Sequence, residues 1–323
     1  MKSTEMIVKI SIIIVNWNSG YQLQSCVASI KQAKQIGFYL SDVIIVDNNS
    51  IDGSIESIES YDLPVTLIKN LDNHGFAAAC NQGAAVASGN YLLFLNPDTR
   101  LFENSLSVPL DFMDDEKNAH VGICGIQLVD ESGEVSRSCA RFPSLSLFVA
   151  QALGLNKLPM FLLLSTHMSE WDHAKTCEVD HVIGAFYLIR SSLFQLLGGF
   201  DRRFFVYLED LDLSLRAHQA GWQSVYLANA QAFHAGGGTS RQVKAHRIFY
   251  SLRSRLLYGF KHFSSINAWI LFLVTLGLEP FARLIFALAK GNFQDAKYTV
   301  KGYLLLLRDL PSILQIAHKK SYS

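Results

Sequence analysis

Residues 10–18 read Ile-Ser-Ile-Ile-Ile-Val-Asn-Trp-Asn, an apolar run that stops abruptly at polar side chains. Apolar runs of strand length, rich in β-branched residues, recur along the first hundred residues, at 10–15, 43–46, 65–68 and 91–95. Such runs predict buried parallel strands. Helix-compatible segments separate them, at 21–34, 53–60 and 75–88. This part of the sequence therefore predicts a β-α-β-α-β-α-β arrangement, which is a doubly wound α/β sheet.

Polar side chains follow three of these predicted strands. They are Asn16-Trp17-Asn18, Asp47-Asn48-Asn49-Ser50 and Asn96-Pro97-Asp98. In open α/β sheets, ligands bind in a crevice beyond the carboxyl ends of the strands. The sequence therefore predicts that these three strand ends meet at one binding crevice.

Two aspartates in these segments are candidates for ligand binding. Asp47 directly follows the run 43–46, where such a sheet would present a carboxylate to the base or ribose of a nucleotide; capping of a helix after Gly53 is the structural alternative. Asp98 follows the fourth strand, and a carboxylate there can hold a divalent cation that bridges a diphosphate, because hard cations prefer oxygen ligands. The same Asn-Pro-Asp triplet is also a turn signal.

Composition and missing motifs exclude some functions. No Gly-x-Gly-x-x-Gly motif follows the first predicted strand and no P-loop pattern occurs, so an NAD-type phosphate cradle is not supported. Lys+Arg and Asp+Glu both number 28, so net charge gives no argument for a nucleic-acid partner. The five cysteines form no Cys-x-x-Cys pair and the sequence shows no export signal, which predicts a reduced, cytosolic protein.

The densest acidic cluster is Glu209-Asp210-Leu211-Asp212, at the start of a segment with helical spacing, 209–220. A carboxylate held at a helix start beside a crevice could act as a general base on a hydroxyl group. Helix capping with solvated charge is the alternative. The segment therefore predicts a helix, with Leu211, Leu215 and Leu208 on one face.

His234 is the histidine that most suggests a functional role. It precedes Gly236-Gly237-Gly238, and an imidazole beside a flexible glycine run suits a metal ligand in a site that must admit a substrate. Three other histidines, His74, His181 and His218, are interpreted as structural.

The composition changes at residue 241, since from Arg241 to the end of the chain thirteen Lys and Arg residues outnumber three Asp and Glu residues. Two apolar segments, 266–278 and 281–289, are each too short to cross a membrane, which takes about 20 apolar residues. We expect Glu279, Pro280 and Arg283 to interrupt the apolar sequence between them. Helices with an apolar face and basic flanks can lie in the membrane interface, and residues 298–316 repeat that pattern. We therefore expect a helical tail on a membrane surface; packing against the α/β body and true spanning are the alternatives.

Taken in order, eight short motifs resemble the family 2 glycosyltransferases, specifically their rhamnosyltransferase-like branch. The motifs are Ser11-Ile-Ile-Ile-Val-Asn-Trp-Asn18, Val46-Asp-Asn-Asn-Ser-Ile-Asp-Gly53, Asn73-His-Gly-Phe76, Leu95-Asn-Pro-Asp98, Gly184-Ala185, Gly198-Gly-Phe-Asp201, Glu209-Asp-Leu-Asp212 and His234. Each motif alone is weak, whereas eight in the right order are specific. The match extends from about Ile10 to Ser240 and leaves the basic tail outside.

The resemblance implies a GT-A fold, an α/β architecture with a Rossmann-like, mostly parallel sheet flanked by helices. It implies one glycosyltransferase domain over residues 1–240. Within it, residues 1–100 would bind the nucleotide and residues 101–240 would form the acceptor side. Residues 241–323 would form a basic and apolar helical extension outside this domain.

The resemblance also implies which residues bind the nucleotide sugar. Asp47 would contact the nucleoside, with Asn16 nearby because of its place at the end of a strand. Gly184 and Ala185 would belong to the same donor site, as would Asn96 and Asp98.

Metal binding and catalysis are implied in the same way. Asp98 would stand in for the last carboxylate of the family's Asp-x-Asp motif and bind Mg²⁺ or Mn²⁺, and His234 would complete the metal's ligand shell. Asn96 replaces the first Asp of that motif and removes one negative charge. Asp210 would be the catalytic base, with Glu209 as the alternative.

The function implied is inverting, metal-assisted transfer of L-rhamnose from dTDP-rhamnose to a lipid-linked or cell-surface polysaccharide acceptor at the cytoplasmic face of a membrane. UDP-galactofuranose, UDP-glucose and UDP-N-acetylglucosamine are alternative donors. A sugar nucleotidyltransferase and a catalytically degenerate membrane-binding protein are alternative functions. The sequence leaves the acceptor, the linkage position and the oligomeric state open.

Overall fold

The protein is described from a computed structural model for residues 7–34, 36–56, 58, 61–157, 163–168, 170–236 and 243–320. The chain divides into two compact units. The α/β unit comprises Met1–Ala140, Asp172–Arg202 and Asp210–Thr239. The helical unit comprises Arg141–Trp171, Arg203–Glu209 and Ser240–Ser323.

Eleven strands are described. They are β1 (Val8–Asn16), β2 (Phe38–Asp47), β3 (Val65–Lys69), β4 (Tyr91–Leu95), β5 (Thr99–Leu101), β6 (Val121–Val129), β7 (Cys139–Ala140), β8 (Cys177–Val179), β9 (His181–Val182), β10 (Phe186–Arg190) and β11 (Gln223–His234). The described helices are α1 (Tyr21–Gln32), α2 (Phe76–Val86), α3 (Ser107–Asp114), α4 (Leu145–Ala152), α5 (Ser191–Leu196), α6 (Glu209–Gln219), α7 (Lys244–His262), α8 (Ser265–Leu273), α9 (Glu279–Ala289) and α10 (Phe293–Lys320).

The α/β unit contains one large sheet in the order β3-β2-β1-β4-β10-β6-β11-β5, with β8 beside β11, and a separate β7-β9 pair. The four strands from β3 to β4 are parallel, β10 is antiparallel to both β4 and β6, and β11 is parallel to β6. The sheet is therefore mostly parallel, as the sequence predicts.

The central strand β1 is buried because helices cover both of its faces. On one face, Ile12 and Ile14 belong to the apolar cluster that includes Val27 of α1. On the other face, Ile13 meets α2 at Gly83, where an added Cβ would lie 2.6 Å from Ile13 Cγ2. The small residues of α2 therefore let this helix lie close to the sheet.

The helix predicted at 53–60 is absent from the residues described in that segment, and this prediction is wrong for them. Residues 53–56 form a bend and turns, and residue 58 has a 3-10 conformation. The Asp52 carboxylate accepts hydrogen bonds from the backbone N–H groups of Ser54, at 3.0 Å, and Gly20, at 2.7 Å. Asp52 therefore ties the start of this segment to the residue that precedes α1.

Two other local predictions need correction. The strand predicted over 182–189 is broken into β9 and β10, and residues 183–185 lie between them. Leu208 lies before α6, in the left-handed region with φ 66°, and is not on the helix face. The helix itself, predicted over 209–220, is present as α6.

The helical unit contains α4, α7 and the helices that follow, and one expectation about them is wrong. The segments predicted as two short helices form one helical run, Ser265–Ala289, of 25 residues, with a mean hydropathy of 1.9 over its most apolar stretch. A π-helical segment, Val274–Leu278, joins α8 to α9, and Pro280 lies in the first turn of α9, where a missing N–H is tolerated. By length and composition, this run could cross a membrane.

Polar side chains lie inside the helical unit. Glu279, which the sequence suggested would interrupt the helix, is 0% exposed and binds Arg255 of α7. It also accepts a 2.8 Å hydrogen bond from Arg283, four residues along the same helix. Large apolar side chains of the same run are exposed, among them Ile266, Leu273, Phe281 and Ile285.

Candidate active site

The first polar cluster lies where β1 and β2 end. Asn16 and Asp47 are paired in the sheet register. Both are buried, and Asn16 Nδ2 donates hydrogen bonds to Asp47 Oδ1 at 2.7 Å and Ser54 Oγ at 2.8 Å. The structure thus brings together two residues that the sequence assigns to the nucleotide site.

Asp47 also shapes the turn that follows it. Its carboxylate accepts hydrogen bonds from the backbone N–H of Ser50 at 3.1 Å and from Ser50 Oγ at 2.6 Å. Asn49, inside this turn, has φ 62°, a conformation that Asn tolerates better than most residues. Asn16 Oδ1 is buried and makes no hydrogen bond within the described structure. A buried acceptor of this kind is costly unless it has a donor, so it marks where a ligand donor would be stabilised.

The second cluster joins Asp98 to His234. Thr99 pairs with His234 in the register of β5 and β11, and the Ala235 backbone N–H donates a 3.1 Å hydrogen bond to the Asp98 carbonyl. The side chains meet as well, because Asp98 Oδ1 lies 3.3 Å from His234 Nε2. Residues 136 positions apart in the chain are therefore neighbours, as the metal-site hypothesis requires.

The side chains of this pair are suitable ligands for a divalent cation whose remaining ligands come from a substrate. Among the described residues, no group of three or more His, Cys, Asp and Glu side chains could hold a metal ion. One carboxylate and one imidazole are suitable ligands for Mn²⁺, and Mg²⁺ is often held by one carboxylate together with substrate phosphates. Asp98 and His234 could thus hold a cation whose other ligands come from a diphosphate and water.

The segment between β9 and β10 connects the metal side of the site to α6. The Asn96 N–H donates a 3.1 Å hydrogen bond to the carbonyl of Ala185. The N–H of Gly184 donates a 2.7 Å hydrogen bond to Asp210 Oδ2. Two hydrogen bonds, together with the peptide bond between Gly184 and Ala185, therefore join four residues that the sequence assigns to the site. This hydrogen-bonded series extends from Asn96 through Ala185 and Gly184 to Asp210.

Asp210 lies in the first turn of α6, and its side chain is 17% exposed. Burial alone would raise the pKa of its carboxyl group. The charge of His181 opposes this effect, as do hydrogen bonds from His181, Gly184 and Leu211, and together they hold the pKa of Asp210 below its usual range. Asp210 is consequently an ionised carboxylate at neutral pH that retains some access to solvent.

The other two carboxylates of the acidic cluster have different surroundings. Asp212 is fully buried and accepts a 2.9 Å hydrogen bond from Arg216 Nε. Arg216 also donates to the carbonyl oxygens of Leu197, at 2.7 Å, and Gly199, at 2.9 Å, so this pair holds the Gly198-Gly199 turn against α6. Glu209 is buried as well. Of the three carboxylates, that of Asp210 belongs to the most exposed side chain.

Two residues near the site were not predicted from the sequence. Asn81 on α2 binds both backbone groups of Phe200, donating to its carbonyl at 2.8 Å and accepting from its N–H at 2.9 Å. Gly199 has φ 73°, and an added Cβ there would lie 2.7 Å from Asn81 Oδ1. The other residue is His181, interpreted as structural, whose Nε2 lies 3.5 Å from Asp210 Oδ2. Its position three residues before Gly184 was the available signal.

Comparison with known proteins assigns the chain to a family. The sequence profile of glycosyl transferase family 2 matches residues 11–194, more than half of the chain. The protein belongs to glycosyl transferase family 2. The family prediction is thus confirmed, and the sugar nucleotidyltransferase alternative is not supported.

Two relatives of this glycosyltransferase have more specific names. N-acetylglucosaminyl-diphospho-decaprenol L-rhamnosyltransferase of Mycobacterium tuberculosis is 27% identical over 263 residues, which cover 78% of this chain and 84% of the relative. Rhamnosyltransferase WbbL of Escherichia coli is 30% identical over 176 residues, which cover 53% of this chain and 62% of the relative.

Solved structures of glycosyltransferases share the fold. A mannosyltransferase from Pyrobaculum calidifontis, in complex with GDP-Man and Mn²⁺, aligns with a TM-score of 0.54 and 16% identity over 97% of this chain and 86% of that chain. Residues 1–349 of Staphylococcus aureus TarS align with a TM-score of 0.53 and 14% identity over 92% and 90%. The glycosyltransferase has a GT-A fold, as the sequence predicts. As a family member, it uses a nucleotide-sugar donor and a glycan acceptor.

Proposed function

We propose that this glycosyltransferase is an inverting rhamnosyltransferase that transfers L-rhamnose from dTDP-rhamnose to a lipid-linked or cell-surface polysaccharide acceptor. The names of the two relatives support the sugar and the class of acceptor. The structural observation that best supports the mechanism is the hydrogen-bonded series from Asn96 to Asp210. It joins the turn that contains Asp98, the partner of His234, to an ionised carboxylate.

In this proposal, Asp210 is the general base. The acceptor hydroxyl attacks the anomeric carbon of the donor sugar while its proton passes to the Asp210 carboxylate. The new C–O bond forms as the bond to the nucleoside diphosphate breaks, so a single displacement inverts the anomeric centre. A general base contributes about 10²- to 10⁴-fold to the rate of such a step. We assign the base to Asp210 rather than Glu209 because Asp210 accepts the Gly184 hydrogen bond and has the more exposed side chain.

Asp98 and His234 would hold the divalent cation, Mg²⁺ or Mn²⁺. The cation, when bound, stabilises the negative charge that develops on the departing diphosphate. Asn96 contributes an amide where the family's motif has a carboxylate, so the protein supplies one negative charge fewer to this site. Its backbone N–H, bound to the Ala185 carbonyl, keeps the Asn96 turn in place.

Asn16 and Asp47 would receive the nucleoside. Their side chains are already joined by a 2.7 Å hydrogen bond at the ends of β1 and β2, so little ordering is needed when the donor binds. Asn16 Oδ1, buried without a hydrogen bond, could accept one from a nucleobase or ribose. Gly184 and Ala185 would border the sugar, between the metal side and the base.

A thermal-shift panel tests the donor. It contains dTDP-rhamnose, UDP-glucose, UDP-galactofuranose, UDP-N-acetylglucosamine and NAD, each with and without Mn²⁺, because a ligand that binds the folded state raises the melting temperature. We expect a Mn²⁺-dependent shift with dTDP-rhamnose. A shift with one UDP-sugar alone would replace rhamnose by that sugar. No shift with any sugar nucleotide would favour a catalytically degenerate protein.

We also propose the domain division implied by the sequence, with the catalytic domain in residues 1–240 and a membrane-associating extension in residues 241–323. The protein would then act in the cytoplasm, at the inner face of the cell membrane. The distribution of side chains supports this role. The run Ser265–Ala289 exposes large apolar residues such as Ile266, Leu273 and Ile285, while Glu279 is turned inward. Apolar surface outside and polar groups inside suit contact with lipid better than contact with water.

The basic residues of the extension add to this argument. Anionic lipid headgroups attract Lys and Arg near a membrane surface. Basic residues flank the run Ser265–Ala289 along the chain, at Lys261, Lys290, Lys297 and Lys301. We propose that the exposed apolar face of this run lies in the interface, where the apolar residues enter the lipid and the lysines meet the headgroups.

A further inference from the structure

The imidazole of His181 lies across one turn of α6. His181 is 3% exposed, its Nε2 lies 3.5 Å from Asp210 Oδ2, and its Nδ1 lies 3.0 Å from Ser214 Oγ. Asp210 and Ser214 are four residues apart, so the helix places them on one face. Both ring nitrogens of a buried histidine are therefore directed at the same helical turn.

The hydrogen-bond partners define which nitrogen carries the proton. Tyr187 Oη lies 2.9 Å from Ser214 Oγ. If the Tyr187 hydroxyl donates to Ser214 and the Ser214 hydroxyl donates to His181 Nδ1, then Nε2–H points at the carboxylate, and each proton has an acceptor. The opposite order would turn a nitrogen lone pair toward a carboxylate oxygen, which is repulsive. When one ring nitrogen of His181 carries the proton, that nitrogen is therefore Nε2.

We infer that His181 is a positioning residue for Asp210: with the Gly184 N–H, its Nε2–H fixes Oδ2 of the carboxylate so that the base faces the acceptor hydroxyl. This inference rests on the proposed role of Asp210. His181 retains its proton during transfer, while the proton of the acceptor hydroxyl goes to Asp210. If His181 only filled space in the core, a hydrogen-bond donor at the position of Nε2 would not be required.

Two substitutions separate these roles. In His181→Gln, the side-chain amide reaches about as far as Nε2 and can still donate to Asp210. In His181→Asn, the shorter amide reaches only the position of Nδ1, so it can contact Ser214 but not Asp210. Both replace a buried imidazole with a buried amide, and a general loss of packing would affect them alike.

His173 provides the matched control. It is also fully buried in the α/β unit, and its Nε2 accepts a 3.3 Å hydrogen bond from the backbone N–H of Cys139. Its φ is 59°, which Asn tolerates. We expect His173→Asn to lower the melting temperature and to leave kcat near the wild-type value.

The assay uses the full chain with Mn²⁺, an N-acetylglucosaminyl-diphospho-polyprenol acceptor and whichever sugar nucleotide the wild type turns over, dTDP-rhamnose first. We expect His181→Asn to lower kcat by about 10- to 100-fold, the usual effect of losing a supporting contact. The donor KM should stay unchanged, and His181→Gln should retain most of the wild-type kcat. Equal losses in both variants, no loss in either, or a change confined to KM would overturn the inference.

A second measurement is independent of turnover. In ¹⁵N-histidine NMR spectra of the full-length wild type, with the His181 signals assigned from His181→Gln, we expect a protonated Nε2. Asp210→Asn should shift the Nε2 signal. An unprotonated Nε2, or an Nε2 signal insensitive to Asp210→Asn, would disprove the positioning role even if no tested sugar nucleotide proved to be a substrate. Failure of turnover alone would contradict only the proposed function.

Discussion

The backbone N–H of Gly184 lies 2.7 Å from Oδ2 of Asp210. Gly184 occupies the interruption between β9 and β10, so its N–H is available to a side chain instead of a neighbouring strand. The adjacent carbonyl, of Ala185, accepts the Asn96 N–H at 3.1 Å. The interrupted strand therefore uses successive backbone groups to hold the proposed base on one side and the proposed metal-binding turn on the other.

Gly184→Ala should impair catalysis more than binding. An added Cβ would lie 3.1 Å from Asp210 Oδ2, so the carboxylate would have to move by a few tenths of an ångström. Because a displacement of about 1 Å can cost about 10²-fold in rate, we expect a smaller loss in kcat, of several-fold. The donor-induced thermal shift should persist. Gly277→Ala, where an added Cβ meets nothing within 4 Å, is the control, and a loss of the same size there would contradict the explanation.

Asp210→Asn should abolish most of the transfer while leaving donor binding intact. The amide keeps the shape of the side chain but cannot accept the acceptor's proton, and loss of a general base lowers kcat by about 10²- to 10⁴-fold. Steady-state kinetics with the donor thermal shift measured alongside would separate the two effects.

Two neighbouring carboxylates serve as controls for that substitution. Asp212→Asn should mainly lower the melting temperature, because it weakens a buried pair with Arg216. Glu209→Gln should retain transfer. If Asp210→Asn is active and Glu209→Gln is not, Glu209 is the base.

Much of the fold could be predicted from the sequence because strand and helix patterns there reflect burial. The apolar runs beginning at residues 10, 43, 65 and 91 all became strands of the predicted parallel region. The helix predicted at 53–60 was wrong for its described residues, whose first turn is tied to Gly20 through the Asp52 side chain. Periodicity alone does not reveal such a contact with a distant part of the chain.

The tail shows a second limit of sequence patterns. Glu279 was read as a break between two short helices, yet it lies inside a single helical run, bound to Arg255 and Arg283. Arg255 comes from another helix, so its compensating charge could not be inferred from the segment itself.

Part of the candidate site could be predicted from polar residues at or just after strand ends. Asn16 and Asp47 end β1 and β2, Asp98 follows β4, and a parallel sheet brings such positions to one edge. The role proposed for His181 could not be predicted, because it depends on Ser214 and Asp210, which are distant from it in the sequence. Contacts across distant parts of the chain carry no periodic signal.

Asp98→Asn should reduce the effect of Mn²⁺ on donor binding. The substitution removes the carboxylate charge that faces His234 Nε2 at 3.3 Å, and a divalent cation prefers a charged oxygen ligand. In Asp98→Asn, we expect the Mn²⁺-dependent part of the donor thermal shift to disappear. In His234→Gln, the same part of the shift should become smaller. Asp130→Asn, in the exposed turn after β6, is the charge-matched control, and an equal loss in that variant would show that the effect is not local.

Asn96→Asp should have the opposite effect on the metal. It places a carboxylate at the position that Asp occupies in the Asp-x-Asp motif and adds one negative charge beside Asp98. We expect a lower dissociation constant for Mn²⁺ in the presence of nucleoside diphosphate, measured by isothermal titration calorimetry. Weaker binding would mean that repulsion between the two carboxylates exceeds their attraction for the cation.

The exposed apolar face of Ser265–Ala289 should determine binding to lipid. Phe281 and Ile285 are 65% and 66% exposed, and each fully buried side chain of this size contributes about 1.5–3 kcal/mol. We therefore expect Phe281→Glu combined with Ile285→Glu to lower the partition coefficient onto phosphatidylglycerol vesicles by at least about tenfold, since about 1.4 kcal/mol corresponds to that factor. Cosedimentation of the full chain measures this change.

The control for this experiment replaces exposed apolar residues elsewhere with the same charge. Ile51 and Leu71 of the α/β unit are 89% and 90% exposed, so Ile51→Glu combined with Leu71→Glu adds equal negative charge without changing the proposed face. If the two double variants lose vesicle binding equally, long-range charge explains the loss, and raising the salt concentration should then abolish wild-type binding as well. Retention of binding by the control alone would establish that the apolar face itself enters the lipid.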